Sequence, residues 1–576
     1  MREGQPVQPA SSLINMKRQR RRTEKNGQRG REERKQADIE RKRRVPQRRI
    51  SLRAGLAVIA GRAAGAVSRR LHLGGGTSIT GEVAQRVYPD IAGYLATQLE
   101  HGSILVTGTN GKTTTSSFIS AILQDAGLRV WRNREGSNLM RGIASSLVMR
   151  ALPSGNLKRA GRAISVLEVD EAALPQIVQT IHPRVVVFTN LFRDQLDRYG
   201  EVDAIIERWR KAISALPLST TLVLNADDPA VAGLDTSFNG RTLYYGIDDL
   251  SLDLLTQESS EQRHQVIDTR RCPRCGSDYC YEARFFSHLG HYHCPQCTMK
   301  RPQPAVRATH VQRDGFDRLR IEIATGETLD GLDERREIVV PLPGLYNVYN
   351  ALAAIGAALA SGVEGEAIAS GIEQFKPVFG RGERIQVEGR TLRLLLAKNP
   401  TGFNEVLRTL FSDGVPRHLL FVLNDRIADG QDISWIWDVD FERVAGQTLT
   451  LTVAGTRALD LALRLKYAGV KMEDMQIIPS IPIPNMRRRN KGRPHIIRRT
   501  RHTADVARVD GEQEARQAVS PLVTTYGLNN ALNRALEQTP AGETLFVVPT
   551  YTGLLEVHHE LESRGLAPRY WEGKDA

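Results

Sequence analysis

The sequence predicts an α/β protein with two parallel-sheet units, and three observations carry that prediction. A strand, a glycine turn and a helix start follow one another at Ile104–Thr115. Short apolar runs ending in polar residues recur through both halves of the 576-residue chain. Two Cys-x-x-Cys knuckles, Cys272/Cys275 and Cys294/Cys297, interrupt the first half. The expected order is a P-loop ATP-binding domain with an inserted four-cysteine zinc ribbon, then a Rossmann-like α/β C-terminal domain.

The junction comes first. Ile104 to Val106 reads as a buried strand that breaks into Gly108-Thr-Asn-Gly111, Lys112 and three threonines. Glycines let backbone N–H groups approach phosphate oxygens, and a helix N-terminus favours anions. Lys112 supplies a point charge for the β- and γ-phosphates, and the Thr113 hydroxyl is a Mg²⁺ ligand type. The spacing is GxxGKT, two residues shorter than GxxxxGK[ST]. Gly108, Thr109, Asn110, Gly111, Lys112, Thr113 and Thr114 are therefore candidate ATP-binding residues.

Further strands are read at 163–167, 185–188 and 221–224, each followed by polar residues. Open parallel sheets bind ligands beyond strand C-termini. Glu168 follows its strand where an acid can hold Mg²⁺, directly or through water. Standing alone, such an acid serves equally well as a cap or a solvated turn. Asn225 opens Asn-Ala-Asp-Asp-Pro229 in the same kind of place. Asn347 and Asn350, three apart at the start of an alanine-rich helix to Ala360, share a face. Their amides suit an adenine edge or ribose, and equally helix capping.

Eighteen residues separate the two knuckles, a spacing that suits one tetrahedral zinc site with four thiolate ligands. Four protein ligands leave no open position, so the predicted zinc is structural. Cys280 is left over, and His288, His291 and His293 lie within the loop. The ribbon insertion is placed at 268–302 within a first domain of 51–385.

The net charge of +14 is localised. Residues 1–50 hold 17 Lys/Arg against 6 Asp/Glu, and residues 487–501 hold 8 Lys/Arg and no acid, leaving the rest at −5. The high pI thus describes two segments. Residues 1–50 lack the apolar content to fold and are expected to be a disordered basic tail. A helix with Arg53, Arg62, Arg69 and Arg70 is expected over 51–70, then a donor-rich loop at Gly74–Ser78. No run of 18 apolar residues and no signal-peptide pattern is present. Four of the five cysteines sit in knuckles, which fits a reducing compartment. The expected location is cytoplasmic.

From about 386 to 576 a second α/β unit is read, with strands at 392–396, 419–423, 449–453 and 544–548. Lys398-Asn-Pro-Thr-Gly402 follows the first. An acidic, tryptophan-bearing stretch, Asp425 to Asp438, follows the second and includes Asp429 and Asp432. A basic loop insertion is placed at 482–515.

Taken together, Gly108–Thr113, Glu168, Thr189-Asn190 with Asp194-x-Leu-Asp197, Asn225–Pro229 and Gly344-x-x-Asn347-x-x-Asn350 resemble the Mur ligase family. The four-cysteine ribbon, Lys398–Gly402 and Asp429-Gly-x-Asp432-x-Ser-Trp435-x-Trp-Asp438 resemble its amidating MurT subgroup. The resemblance covers roughly residues 70–570. It implies MgATP held by Lys112, Thr113 and Glu168 with Asn347 near the base. It implies phosphorylation of the α-carboxylate of D-glutamate in the lipid II stem peptide, then attack by ammonia to give D-isoglutamine. The ammonia is expected from a GatD-type glutaminase, forming a heterodimer. An acid of this chain would complete that partner's Cys-His pair: Asp432, with Asp429 and Asp438 as alternates. The protein would then work at the inner face of the membrane, where its substrate is anchored.

Amino-acid-adding relatives typically carry a histidine where this chain has Gln195, a carbamylated lysine where Trp209 stands, and a histidine where Tyr346 stands. The alternative, an amino-acid-adding Mur or folylpolyglutamate-type ligase, is disfavoured by these residues. No nucleic-acid partner is expected, because the ribbon has few stacking aromatics beyond Tyr279, Tyr281, Phe285 and Phe286.

Overall fold

The computed structural model describes residues 51–70, 78–133, 137–193, 202–257, 271–326, 335–376, 380–482 and 525–567. The basic tail, most of the 74–78 loop, Asp194–Asp197 and the basic loop from 487 onward lie outside the described residues.

The first sheet begins with β1 (Ser103–Thr107), β2 (Arg129–Arg132), β3 (Ala163–Glu168), β4 (Val185–Phe188), β5 (Thr221–Asn225) and β6 (Arg241–Ile247). A hairpin of β7 (Cys280–Phe286) and β8 (Leu289–His293) follows, then β9 (Val306–Asp314), β10 (Arg318–Thr325) and β11 (Arg335–Val340). The nine-stranded order is β11-β10-β9-β6-β5-β4-β1-β3-β2. From β2 to β9 every pairing is parallel, and β9, β10 and β11 extend the edge antiparallel. Every residue of β1, β3, β4 and β5 is buried. Helices cover both faces, which is why these strands read as continuous apolar runs.

Helices Lys112–Asp125 and Leu345–Ala360 share one core with the sheet, including Phe118, Ile122, Val348 and Ile355. Leu174–Ile181 and Val202–Ile213 pack on the other face through Ile177, Ile206 and Trp209. The register sets Val106 beside Glu168 and Thr107 beside Phe188. That brings the ends of three central strands to one place.

The second sheet contains β12 (Arg381–Val387), β13 (Arg390–Leu395), β14 (Arg417–Val422), β15 (Thr448–Gly455) and β16 (Met475–Pro479). A short pair, β17 (Ile481–Pro482) and β18 (Thr525–Tyr526), precedes β19 (Thr544–Pro549). Its order is β12-β13-β19-β14-β15-β16, parallel except between β12 and β13. This sheet starts at Arg381, inside the span assigned by sequence to the first unit.

The helix Leu52–Arg70 forms as expected, but its packing face consists of small residues: Ala54, Gly55, Ala57, Val58, Gly61, Gly65 and Ser68 are buried. A Cβ added at Gly61 would come within 2.5 Å of the Thr80 carbonyl oxygen. Among the described residues no helix is long and apolar enough to cross a membrane.

Candidate nucleotide site and metal centre

The chain leaves β1 through two glycines with positive φ, 129° at Gly108 and 86° at Gly111. L-residues rarely adopt this region. Space forbids them too: a Cβ at Gly108 would lie 2.2 Å from Thr189 Oγ1, and at Gly111 2.1 Å from Asn350 Oδ1. The helix then starts at Lys112.

Lys112 Nζ donates to the Gly108 and Thr109 carbonyls and to Glu171 Oε1, the last at 2.8 Å. Thr113 Oγ1 donates to Glu168 Oε2 at 2.9 Å, and Ser116 Oγ to Oε1 at 2.9 Å. Arg132 Nη2 lies 3.3 Å from Oε1. Asn133 holds the Glu168 backbone from both sides, accepting from its N–H and donating to its carbonyl. A hydroxyl and a carboxylate thus sit side by side at the helix start, the oxygen donor set that Mg²⁺ takes. The lysine ammonium is held beside the same helix start, within reach of any polyphosphate lying there.

The loop is braced from outside. Asn190 Oδ1 accepts from the Asn110 N–H, and Thr189 Oγ1 donates to the Asn110 carbonyl. Thr109 Oγ1 exchanges hydrogen bonds with the Phe192 backbone. Thr115 Oγ1 donates to Asn350 Oδ1, and Asn350 donates to Asn347. From the second unit, Asn399 Nδ2 donates to Asn110 Oδ1 at 3.0 Å. Its own Oδ1 caps the helix Pro400–Leu410 by accepting from the Gly402 N–H. The phosphate loop is therefore gripped by both units.

Between β6 and β9, Cys272, Cys275, Cys294 and Cys297 bring their sulfurs within 4.8 Å of one another. That cluster fits one tetrahedral metal ion, and a soft thiolate set selects zinc. The Ser277 backbone N–H, with the Cys294 thiol, holds the Cys275 thiol down to about 6. At the far end of the β7–β8 hairpin, His288 is fully buried, its Nε2 3.3 Å from Asp228 Oδ2. Its ring packs 4.8 Å from that of Phe192. Asp228 also accepts from the Leu191 N–H. The ribbon tip thus buttresses Asn190–Phe192, the segment that holds Thr109 and Asn110.

In the second unit the acids after β14 separate by environment. Asp425 pairs with Arg457 and Thr456. Burial opposes its ionisation, yet the Thr456 hydroxyl and Arg457 outweigh that and hold it below the usual carboxylate range. Asp429 is buried and accepts from the N–H and hydroxyl of Thr552, at the start of the helix Tyr551–Ser563. Burial pushes its carboxyl up. Asp432 is exposed, and the Ser434 N–H holds its carboxyl down. Trp437, half exposed, lies tilted against Tyr467 with ring centroids 5.8 Å apart.

Comparison with known proteins matches the Mur ligase middle domain over residues 106–274 and the MurT ligase C-terminal domain over 396–491. The chain is 34% identical to lipid II isoglutaminyl synthase (glutamine-hydrolyzing) subunit MurT of Staphylococcus aureus strain COL, over 72% of this chain and 87% of that one. It is 33% identical to the same-named subunit of Streptococcus pneumoniae strain R6, over 74% and 89%. The chain belongs to the MurT family of Mur ligases.

A pseudomurein peptide ligase type C from Methanothermus fervidus shares the fold, with TM-score 0.52, 22% identity and coverage of 80% and 78%. As a MurT-family chain the protein is an ATP-dependent ligase, and its family binds ATP with Mg²⁺. Its cradle brings together the sequence-predicted Gly108, Thr109, Asn110, Gly111, Lys112, Thr113, Thr114 and Glu168. Two further candidate residues, Asn225 and Asn347, make hydrogen bonds within the chain. Asn225 is fully buried and spends its amide on the Thr189 carbonyl and the Asp227 N–H, so it fastens β5 to the neighbouring strand end. Asn347 is buried and donates to the Pro343 carbonyl, so it orients Asn350, which is the residue against Gly111. Asp429 is likewise committed to Thr552.

Sequence reasoning missed Glu171, Arg132, Ser116, Asn133 and Asn399 as parts of the site. Glu171 had a signal, since it stands three residues beyond Glu168. Trp209 is fully buried and donates from Nε1 to the Glu171 carbonyl. It also packs edge-on against Phe188 at 5.0 Å. An indole here supports the acid that holds Lys112.

Proposed function

We propose that this chain is the synthetase subunit of a glutamine-dependent amidotransferase acting on lipid II. It uses ATP to amidate the α-carboxylate of D-glutamate in the stem peptide, giving D-isoglutamine, with ammonia from a GatD-type glutaminase. The named function of relatives at 33–34% identity over most of their length supports the substrate. The observation that carries the chemistry is the Lys112–Glu171 pair beside the Thr113–Glu168 pair.

A carboxylate oxygen of the substrate attacks the γ-phosphorus, and the bond to the β-phosphate oxygen breaks, releasing ADP. Ammonia nitrogen then attacks the acyl carbon, phosphate leaves with the electrons of its C–O bond, and the nitrogen loses a proton. Lys112 exchanges Glu171 for phosphate oxygens and places positive charge where the transferring group is most negative. Thr113 and Glu168 would hold Mg²⁺, whose charge screens the phosphates when bound. The four cysteines would hold zinc, which ties the two knuckles together and keeps the ribbon tip against Phe192. Asp432, exposed and ionised on a loop of the second unit, is the acid we assign to orient the partner's catalytic histidine. Trp209 disfavours the amino-acid-adding alternative, since it occupies the modified lysine's place with a buried ring.

The test is amidation of lipid II by the purified chain with MgATP and ammonium, read by mass spectrometry of the muropeptide. Isoglutaminyl product formed with ammonium and not with added amino acids supports the reading. ATP-dependent joining of an amino acid, without amidation, overturns it.

A further inference from the structure

The helix Leu52–Arg70 turns its small residues inward and its large ones outward. Leu52, Leu56, Ile59 and Val67 are 80%, 61%, 51% and 56% exposed. Successive steps of four, three and eight residues, with Ala63 between the last two, set them on one stripe of the helix. Single exposed leucines need no explanation, but a contiguous apolar stripe does.

The helix cannot roll to bury that stripe. A Cβ at Gly65 would fall 2.1 Å from Thr80 Oγ1, and at Gly55 2.5 Å from the Pro153 carbonyl oxygen. The inner face therefore accepts only these small residues at this distance. Arg53 and Arg62 also tie the helix down, donating to the Val87 carbonyl and to the Ala151 and Met149 carbonyls.

Charge identifies the occupant. The helix contains no acid, and exposed Arg69 and Arg70 end it. It directly follows fifty residues of net charge +11, with six Lys/Arg in the last ten. An apolar stripe and basic residues on both sides of it are the two signals that hold a protein in the interface of an anionic bilayer.

We propose that the outward stripe of Leu52–Arg70 inserts into the interfacial region of an anionic lipid bilayer, with the adjoining basic segment adding electrostatic attraction. The helix lies in the plane of the surface and does not span it. The proposal stands on the helix and its charge and does not need the amidation reaction.

The full chain should float with vesicles of phosphatidylcholine and phosphatidylglycerol, and much less with phosphatidylcholine alone. The double variant Leu56→Gln/Ile59→Gln, altered only on the outward stripe, should lower partitioning about tenfold or more. Its thermal midpoint and ammonium-dependent ATP turnover should match the unmodified chain. Deleting residues 2–50 should weaken binding and flatten its salt dependence. Unchanged flotation of the double variant overturns the proposal, as does equal binding to neutral vesicles. A stable dimer that the double variant dissociates would assign the stripe to a second copy. Stronger flotation after deleting 2–50 would assign it to the chain's own tail, and both results contradict the bilayer.

Discussion

Two loops leave the C-terminal ends of central parallel strands, one after β1 and one after β14, and they treat their charged residues in opposite ways. After β1, every charged group at the cradle pairs with a partner it can exchange. Lys112 rests on Glu171, while Glu168 rests on Thr113, Ser116 and Arg132. After β14, charge is divided between fold and surface. Asp425 and Asp429 are spent on Arg457 and Thr552, and Asp432 is left facing solvent. The contrast teaches that acid-rich sequence does not identify the working acid. Burial and the partner's freedom to move do.

The comparison breaks most visibly at the cradle. Glu168→Gln keeps the shape but removes the charge facing Thr113. ATP turnover should fall by about 10²-fold or more, measured as phosphate release with lipid II and ammonium. A variant with normal turnover would place the Mg²⁺ ligand elsewhere.

Loss of the zinc proposed for the ribbon should act next most strongly, through the fold. Cys272→Ser, or chelation, should lower the thermal midpoint and the zinc content together. ATP affinity should fall as well, because the His288 tip braces the segment that holds Thr109 and Asn110. Unchanged ATP binding after full zinc loss would separate ribbon from cradle.

Within the second loop, Asp429→Ala should cost about 1–3 kcal/mol in denaturant unfolding, since it strands the Thr552 donors. Asp429→Asn, which can still accept from the N–H, should cost less. The sign of the pH effect follows from burial. The folded pKa of Asp429 lies above its ordinary 3.8, so ionisation is harder in the folded state. Its contribution to stability is present below 3.8 and declines as pH rises through the elevated folded value. Asp429→Asn should remove that decline from the pH–stability curve. An unchanged decline in the variant would mean that Asp429 ionises in the fold at no added expense.

The smallest effect on the chain itself is expected at Asp432. Asp432→Asn should leave the unfolding midpoint within about 0.5 kcal/mol and ammonium-dependent turnover unchanged. Glutamine-dependent turnover with the proposed partner glutaminase should be lost. Equal losses with glutamine and ammonium would return Asp432 to this chain's own chemistry.

Much of the first sheet was legible because its central strands are buried on both faces. β1, β3, β4 and β5 each match a predicted apolar run, and β14, β15 and β19 repeat this in the second sheet. The edges were not legible. β2 is Arg-Val-Trp-Arg with one buried side chain, and β9 to β11 alternate exposed charges with buried apolar residues. Such half-covered strands carry little of the continuous signal. The phosphate loop was readable because its glycines answer a local backbone requirement. Asn399 was not, because its contact with Asn110 spans 289 residues and depends on how the two units meet. The four cysteines show the intermediate case, a long-range cluster written as two local knuckles. Asn225 and Asn347 were legible as candidate contacts from residue type, while their buried hydrogen bonds to Thr189, Asp227 and Pro343 were not.

The most direct test of the account is phosphate release by Lys112→Ala with MgATP, ammonium and lipid II. The account predicts a fall of at least about 10²-fold with the fold intact, because Lys112, held on the Gly108 and Thr109 carbonyls, supplies the positive charge at the loop. Turnover at the rate of the unmodified chain would contradict it.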